Sequence, residues 1–496
     1  MVLQYSLALS TVLLFFSLVW LSKLCKRSKL EKLPPGPWKL PLIGNLHNLV
    51  GSLPHRALRE LAKKHGPLMH LQLGEVSAVV VSSPMMAKEF MKTHDLAFAQ
   101  RPLFLAPRIF AYGGSDIAFS PYSDYWRQMR KVCVLELLSA KRVQSFSSLR
   151  EEEVDNLIDS IHSSSGSLIN FSEHIFTMTS TIISRAAFGS KCKDQDAFLL
   201  LVKEMISLAG GFELADYFPS QKFVLVISGM KAKLEKIHRK IDKILENIID
   251  EHRENQMSAS AEQEDLVDVL LGLQQSGTAL EFPITTNNIK AVILDIFSGG
   301  SDTSSTVVEW AMTEMLRNPK VLEEAQAEIR QTFKGKKKIH EKDLHKLSYL
   351  KSVIRETLRL HPPASMLLPR ECREQCKIDG YEIPIKTKVI INAWAIGRDP
   401  AYWHDAESFM PERFADSSID FKGTHFEYIP FGAGRRMCPG VLFGLANIEL
   451  PLAQLLYKFE WKLPNRMKPE DLDTIEAFGA VVKRKNNLRL IPTSFT

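Results

Sequence analysis

The sequence predicts one large, mainly helical domain with minor β structure, preceded by an N-terminal transmembrane helix. Three observations lead there. Stretches such as "LREEEVDNLIDSIHSS" and "MKAKLEKIHRKIDKILENIIDEHREN" space their apolar residues at three and four, the period of one helical face. Strand-like runs rich in β-branched residues are few and short, around 68–73 and in "SAVVVSS" (77–83). Residues 1–22 contain no Asp, Glu, Lys or Arg, and roughly 20 apolar residues are enough to cross a bilayer as a helix.

The anchor is followed by "KLCKRSKLEK" (23–32), which carries net +4 of the formal +6 of the chain. A cleaved signal peptide puts its basic residues before the apolar run and ends in small residues. Here they follow it, and no A-x-A pattern appears. The positive-inside rule then keeps the flank cytosolic, so a single-pass anchor with a lumenal N-terminus and a cytosolic body is expected. Cys25, Cys133, Cys192, Cys372, Cys376 and Cys438 should be thiols in such a reducing compartment. A balance of 63 basic against 57 acidic residues is too even to suggest a nucleic-acid partner.

Next comes "LPPGPWKLPLIGNL" (33–46), where Pro34, Pro35, Pro37 and Pro41 forbid helix and favour a stiff, extended chain. The expected division is residues 1–22 as anchor, 23–45 as basic flank and proline-rich hinge, and 46–496 as the catalytic domain. Polar stretches at 163–167, 255–265 and 334–338 read as surface loops, the lysine run 336–338 as a solvated one. From about residue 370 the pattern changes to short strands and turns.

The segment 285–319 reads as one long helix, opened by a Thr/Asn cluster and stopped by Pro319. Thirty residues would run about 45 Å, through the middle of a domain. Its centre nevertheless holds "GGSDTS" (299–304), and each mid-helix glycine costs about 1 kcal/mol relative to alanine. Either the bare backbone admits another body and Asp302 and Thr303 serve an apolar site, or the glycines allow a kink or a tight helix crossing.

The stretch "PFGAGRRMCPG" (430–440) surrounds one thiol with glycines, prolines and two arginines. A buried structural cysteine needs neither the backbone freedom nor the charge; a thiolate facing a charged or metal-bearing partner needs both. Glu356 and Arg359 lie three apart on one helical face and can pair, as can Glu314 and Arg317, while Trp126 and Arg130 lie one turn apart. Other chemistries drop out. The histidines of "HEKDLH" (340–345) miss the zinc-protease spacing, no phosphate-binding loop is present, and Met437 breaks the dinucleotide fingerprint begun by Gly432 and Gly434.

In this order the pieces resemble the haem-thiolate monooxygenases, the cytochromes P-450, over essentially the whole chain. The family's F-x-x-G-x-R-x-C-x-G signature is met by Phe431, Gly434, Arg436, Cys438 and Gly440, and its [AG]-G-x-[DE]-T-[ST] pattern by residues 299–304. Glu356 and Arg359 fit E-x-x-R, and Arg413 of "PERF" fits the third member of that buried triad. Trp126 and Arg130 fit W-x-x-x-R, whose members contact a haem propionate; Arg370 of "LLPRE" fits another propionate-binding arginine. The proline hinge and the "HPP" wording are most similar to the plant microsomal A-type branch.

The resemblance implies a single domain with a long central helix over the haem. It implies haem b held by Cys438 as thiolate ligand of the iron, with Arg436 pairing with a propionate. Gly299 and Gly300 are expected to leave room for dioxygen, with Thr303 and Asp302 as hydroxyl and acid of a proton relay. Electrons are expected from NADPH through a separate cytochrome P-450 reductase, with cytochrome b5 as a further partner, in the endoplasmic reticulum membrane. Stretches near 101–119, 293–303, 364–368 and 477–481 are the expected pocket walls. They are chiefly apolar and favour a terpenoid (sesquiterpene or diterpene) over an alkaloid or phenolic substrate. Asp116 would favour a cation if it faced the pocket. The remaining alternatives are a haem-thiolate isomerase or dehydratase and, from another class, a non-catalytic membrane binding protein.

Overall fold

The computed structural model describes residues 32–189, 195–208, 210, 214–221, 228–256, 264–276 and 282–495. The expected anchor, residues 1–22, lies outside them. Among the described residues no helix is long and apolar enough to cross a membrane.

The chain folds as predicted, mainly helical with minor sheet. Thr286–Arg317 forms the central helix, buried along most of its length and on every side. Its start is fixed by a capping box: Asn288 N–H donates to Thr285 Oγ1, and Thr285 N–H donates to Asn288 Oδ1 at 2.8 Å. Pro319 does not merely end it; it opens the next helix, Pro319–Thr332, where a missing N–H costs nothing. Phe171–Phe188, Ser348–Leu360 and Val441–Lys458 pack around the central helix, and Ile182, Ile183, Val307, Met312, Leu358, Leu452 and Leu455 join in one continuous apolar core.

The main sheet has the order Leu68–Leu73, Val76–Val81, Lys388–Ile391, Arg370–Glu371. The first pair is antiparallel, Val76–Val81 runs parallel to Lys388–Ile391, and Arg370 lies opposite Val389 at the edge. A hairpin of Glu476–Ala477 and Lys483–Arg484 forms a separate small sheet.

One expectation needs correction. The region after 370 is not only strands and turns, since Val441–Lys458 is a long helix containing Pro451. The glycine- and proline-rich run before it, and a proline within it, hide the helical period. The lysine run 336–338 lies in an exposed loop as expected, with Lys336 and Lys338 pairing at the surface with Asp343 and Asp155.

Candidate active site

The cysteine loop is built by its own glycines. Gly432 and Gly434 have φ of +71° and +70°, values that side-chain-bearing residues rarely adopt. At Gly434 there is no room either, since a Cβ would meet Met91 O at 2.2 Å and Asp95 Oδ1 at 2.8 Å. Cys438 N–H closes the loop on Phe431 O at 3.0 Å, and Phe431 packs edge-on against Phe421. The Cys438 side chain reaches an open surface although it lies deep among protein atoms. That depth pushes its thiol upward, against the pull of Gly440 N–H and of the Arg130 guanidinium. The helix that leaves this loop meets the central helix where Gly444 faces Ser304, next to Thr303.

Four guanidinium groups gather beside the loop. Arg436 lies 4.1 Å over the Trp126 ring and donates to Ala99 O at 2.8 Å and Ser120 O at 2.7 Å. Trp126 Nε1 donates to Ile117 O at 3.0 Å, and Arg130 donates to Met437 O. Arg370 pairs with Asp95 at 2.6 Å and donates to Ala433 O at 2.7 Å. The fourth, Arg101, is buried and donates to Ala118 O, Leu368 O and Pro369 O. Burial and then the charge of Arg370 bring Arg436 down to about 9, and burial and then Arg436 bring Arg101 well down.

Such a cluster needs more negative charge than its carboxylates supply. Asp95 is engaged with Arg370 and the Arg435 N–H, and burial lifts Asp116 to about 6. A group bearing two carboxylates and a metal that accepts a thiolate meets this donor set, and haem is such a group. The residues fit it.

On the central helix the two glycines do different work. A Cβ on Gly299 would meet nothing within 4 Å, whereas one on Gly300 would meet Ile183 Cδ1 at 2.6 Å. Gly299 therefore faces open space, whereas Gly300, expected to leave room as well, seats a tight helix crossing. Thr303 Oγ1 donates to Gly299 O at 2.5 Å and stays partly exposed. Asp302 is buried, with Lys483 Nζ at 3.5 Å.

The expected pocket walls converge through a chain of bonds. Asp295 Oδ2 on the central helix accepts from Ile117 N at 2.7 Å and Ala118 N at 3.1 Å; Arg101 ties that loop to Leu368; Val482 N donates to Pro363 O at 2.8 Å. Asp116 does not offer a free charge to a pocket. It is 2% exposed and caps Phe119 N at 2.9 Å.

Behind the site, Glu356 and Arg359 form a bidentate pair at 2.7 Å in both arms, with both side chains fully buried. Arg413 Nε adds a 3.0 Å contact to Glu356, and Arg359 also donates to Gly397 O, Ala406 O and Ser408 O. The similarly spaced Glu314–Arg317 is looser at 3.6 Å, and Glu314 turns instead to His361 at 2.8 Å. Sequence reading missed Asp95, Arg101 and Asp295. Each acts on residues far away in the chain, so only the tertiary fold reveals it.

Comparison with known proteins agrees with this geometry. The family model for Cytochrome P450 matches residues 34–491. The chain is 60% identical to desmethyl-deoxy-podophyllotoxin synthase of Sinopodophyllum hexandrum, over 98% of this chain and 97% of that protein. It is 56% identical to premnaspirodiene oxygenase of Hyoscyamus muticus, over 98% of each. A solved zebra fish cytochrome P450 with abiraterone superimposes with a TM-score of 0.76 at 25% identity, over 89% of this chain and 99% of that one. The chain therefore belongs to the cytochrome P450 family, in its plant A-type branch, and is a haem-dependent monooxygenase.

Proposed function

We propose that this monooxygenase oxidises an apolar plant terpenoid, a sesquiterpene or diterpene, inserting one atom of dioxygen and releasing the other as water. The observation that carries this reading is the apolar character of the four converging stretches, with Asp116 occupied by its own loop. Burying apolar surface is worth roughly 25 cal/mol per Å², so such walls favour a hydrocarbon skeleton over a cation. The similarity to premnaspirodiene oxygenase supports it. The higher identity to desmethyl-deoxy-podophyllotoxin synthase keeps a different skeleton as the second reading.

Cys438 is assigned as the thiolate ligand, with Phe431, Gly434 and Gly440 shaping its loop. Arg436, Trp126, Arg130 and Arg370, joined by Arg101, would hold the two carboxylates of a bound haem. When bound, haem supplies reductive activation of dioxygen. Thr303 Oγ1–H donates a hydrogen bond to Gly299 O and so keeps lone pairs on Oγ1 to accept from and orient a protonated group beside the open Gly299 backbone. Asp302 supplies the proton from the buried side of the helix. The Glu356–Arg359–Arg413 triad supports the segment leading into the cysteine loop.

Electrons come from NADPH through a membrane-bound cytochrome P-450 reductase, with cytochrome b5 as a second donor and the half-exposed Arg435 as a docking charge. Residues 1–22 anchor the protein in the endoplasmic reticulum, 23–45 form the flank and hinge, and 46–496 the cytosolic domain. Exposed Trp38, Leu42, Ile43 and Val50 beside the hinge support contact with the bilayer.

Microsomes co-expressing a reductase and fed a panel of apolar plant metabolites test the substrate reading. Olefinic terpenes should shift the haem spectrum and yield oxygenated products, and cationic amines should not; the reverse pattern overturns it. Cys438→Ser should lose the red-shifted band of the carbon-monoxide complex, and retention of that band would remove Cys438 as ligand.

A further inference from the structure

We propose, resting on the reading of Asp302 as the acid of the relay, that Lys483 is its positioning residue. Its ammonium holds the Asp302 carboxylate at the boundary between the buried helix and solvent. Asp302 is 4% exposed, and its one charged partner among the described residues is Lys483 Nζ at 3.5 Å. The Lys483 side chain is 40% exposed, so the pair reaches from the middle of the central helix to water. Thr303, the next residue, turns its hydroxyl back to Gly299 O. Successive helical residues point about 100° apart, so Asp302 and Thr303 face different sides of one turn. Protons from solvent can therefore meet Asp302 on the Lys483 side and leave toward Thr303 on the other.

Lys483 is not a loosely placed surface charge. It pairs with Ala477 across the hairpin. The next residue, Arg484, is buried, donates to Asp473 O at 2.6 Å and lies 3.7 Å from Glu309, two turns beyond Asp302 on the same helix. At the other strand, Glu476 is gripped by His55 at 3.0 Å and Arg56 at 2.8 Å. The hairpin is thus fixed against the central helix by two successive cation–carboxylate contacts, of which the Lys483–Asp302 contact is the one nearest Thr303. Its turn, 478–482, is the stretch expected to line the substrate pocket. Arg484 and Glu476 keep the hairpin and its turn seated, while Lys483 places the acid.

The test uses the full-length holoprotein with reductase, Lys483→Met, Lys483→Arg and Asp302→Asn, and premnaspirodiene as the probe. Lys483→Met should keep the carbon-monoxide spectrum and the KM. Product formed per NADPH should fall roughly tenfold, with a larger solvent deuterium isotope effect on kcat, a milder loss than removal of a general acid. Lys483→Arg should restore most of both. The carboxylate infrared band of Asp302, isolated by subtracting the Asp302→Asn derivative of each protein, should move in Lys483→Met and return in Lys483→Arg. An unmoved band, or coupling and isotope effect equal to wild type, overturns the proposal. If wild type neither shifts its spectrum with premnaspirodiene nor oxidises it, the substrate reading fails, and the infrared comparison still decides the role of Lys483.

Discussion

Gly300 and Ile183 stand so close that the central helix can cross Phe171–Phe188 only where one residue has no side chain: a Cβ on Gly300 would lie 2.6 Å from Ile183 Cδ1. Gly300→Ala should therefore lose about 1–3 kcal/mol to overpacking, less where the Ile183 terminus can rotate away. Gly299→Ala, with open space and better helix propensity, should be neutral or stabilising by up to about 1 kcal/mol while lowering turnover. Thermal midpoints and product rates of the two variants separate the roles.

Thr303→Ala should retain haem and stability but lose coupling. Among the described residues the Thr303 side chain bonds only to a carbonyl of its own helix, so its removal leaves no unpaired buried donor there. Reductant should then appear as released hydrogen peroxide or water in place of product. Equal product per NADPH in variant and wild type would remove Thr303 from the relay.

Glu356→Ala should be among the most destabilising substitutions in the chain, at about 3–5 kcal/mol, because it strands a fully buried guanidinium. Met410 N and Arg413 Nε lose the same acceptor. Arg413→Ala should cost less, since its other bonds go to exposed carbonyls and the Glu356–Arg359 pair survives. Denaturant midpoints and the haem-containing fraction after purification check the ranking.

His252 links Met230–Gln256 to the start of Leu266–Ser276 through Asp265 at 2.9 Å. Burial opposes its charge, but the Asp265 hydrogen bond and charge outweigh it and bring His252 up to about 9 from 6.5. Burial pushes the Asp265 carboxyl up as well, so the pair contributes less than the His252 shift alone indicates. A raised folded pKa gives stability that is complete below about 6.5 and lost as pH rises through about 9. Wild type should lose about 1–3 kcal/mol over that window, and His252→Gln should be flatter by that amount in thermal melts.

The central helix was legible because its ends carry local signals, Thr285 and Asn288 at one and Pro319 at the other. The cysteine loop was legible because positive-φ glycines leave a mark on composition. Glu356–Arg359 was visible only as a common spacing; its complete burial depends on Gly397, Ala406 and Ser408, which no helical period can announce. Arg101, Asp95 and Asp295 were illegible for the same reason: their partners are backbone groups or side chains brought near by folding. Gly300 was legible as an anomaly but not in kind, since a tight crossing and an open site leave the same residue in the sequence.

The grip of Asp295 on the 116–119 loop uses the amides of Ile117 and Ala118, groups that every residue except proline possesses. These two bonds to the central helix therefore do not depend on the side chains of Ile117 and Ala118, unlike the Asp116 cap on Phe119 N. A substitution at the half-buried Ala118, proline excepted, can therefore reshape this wall while both bonds to Asp295 persist.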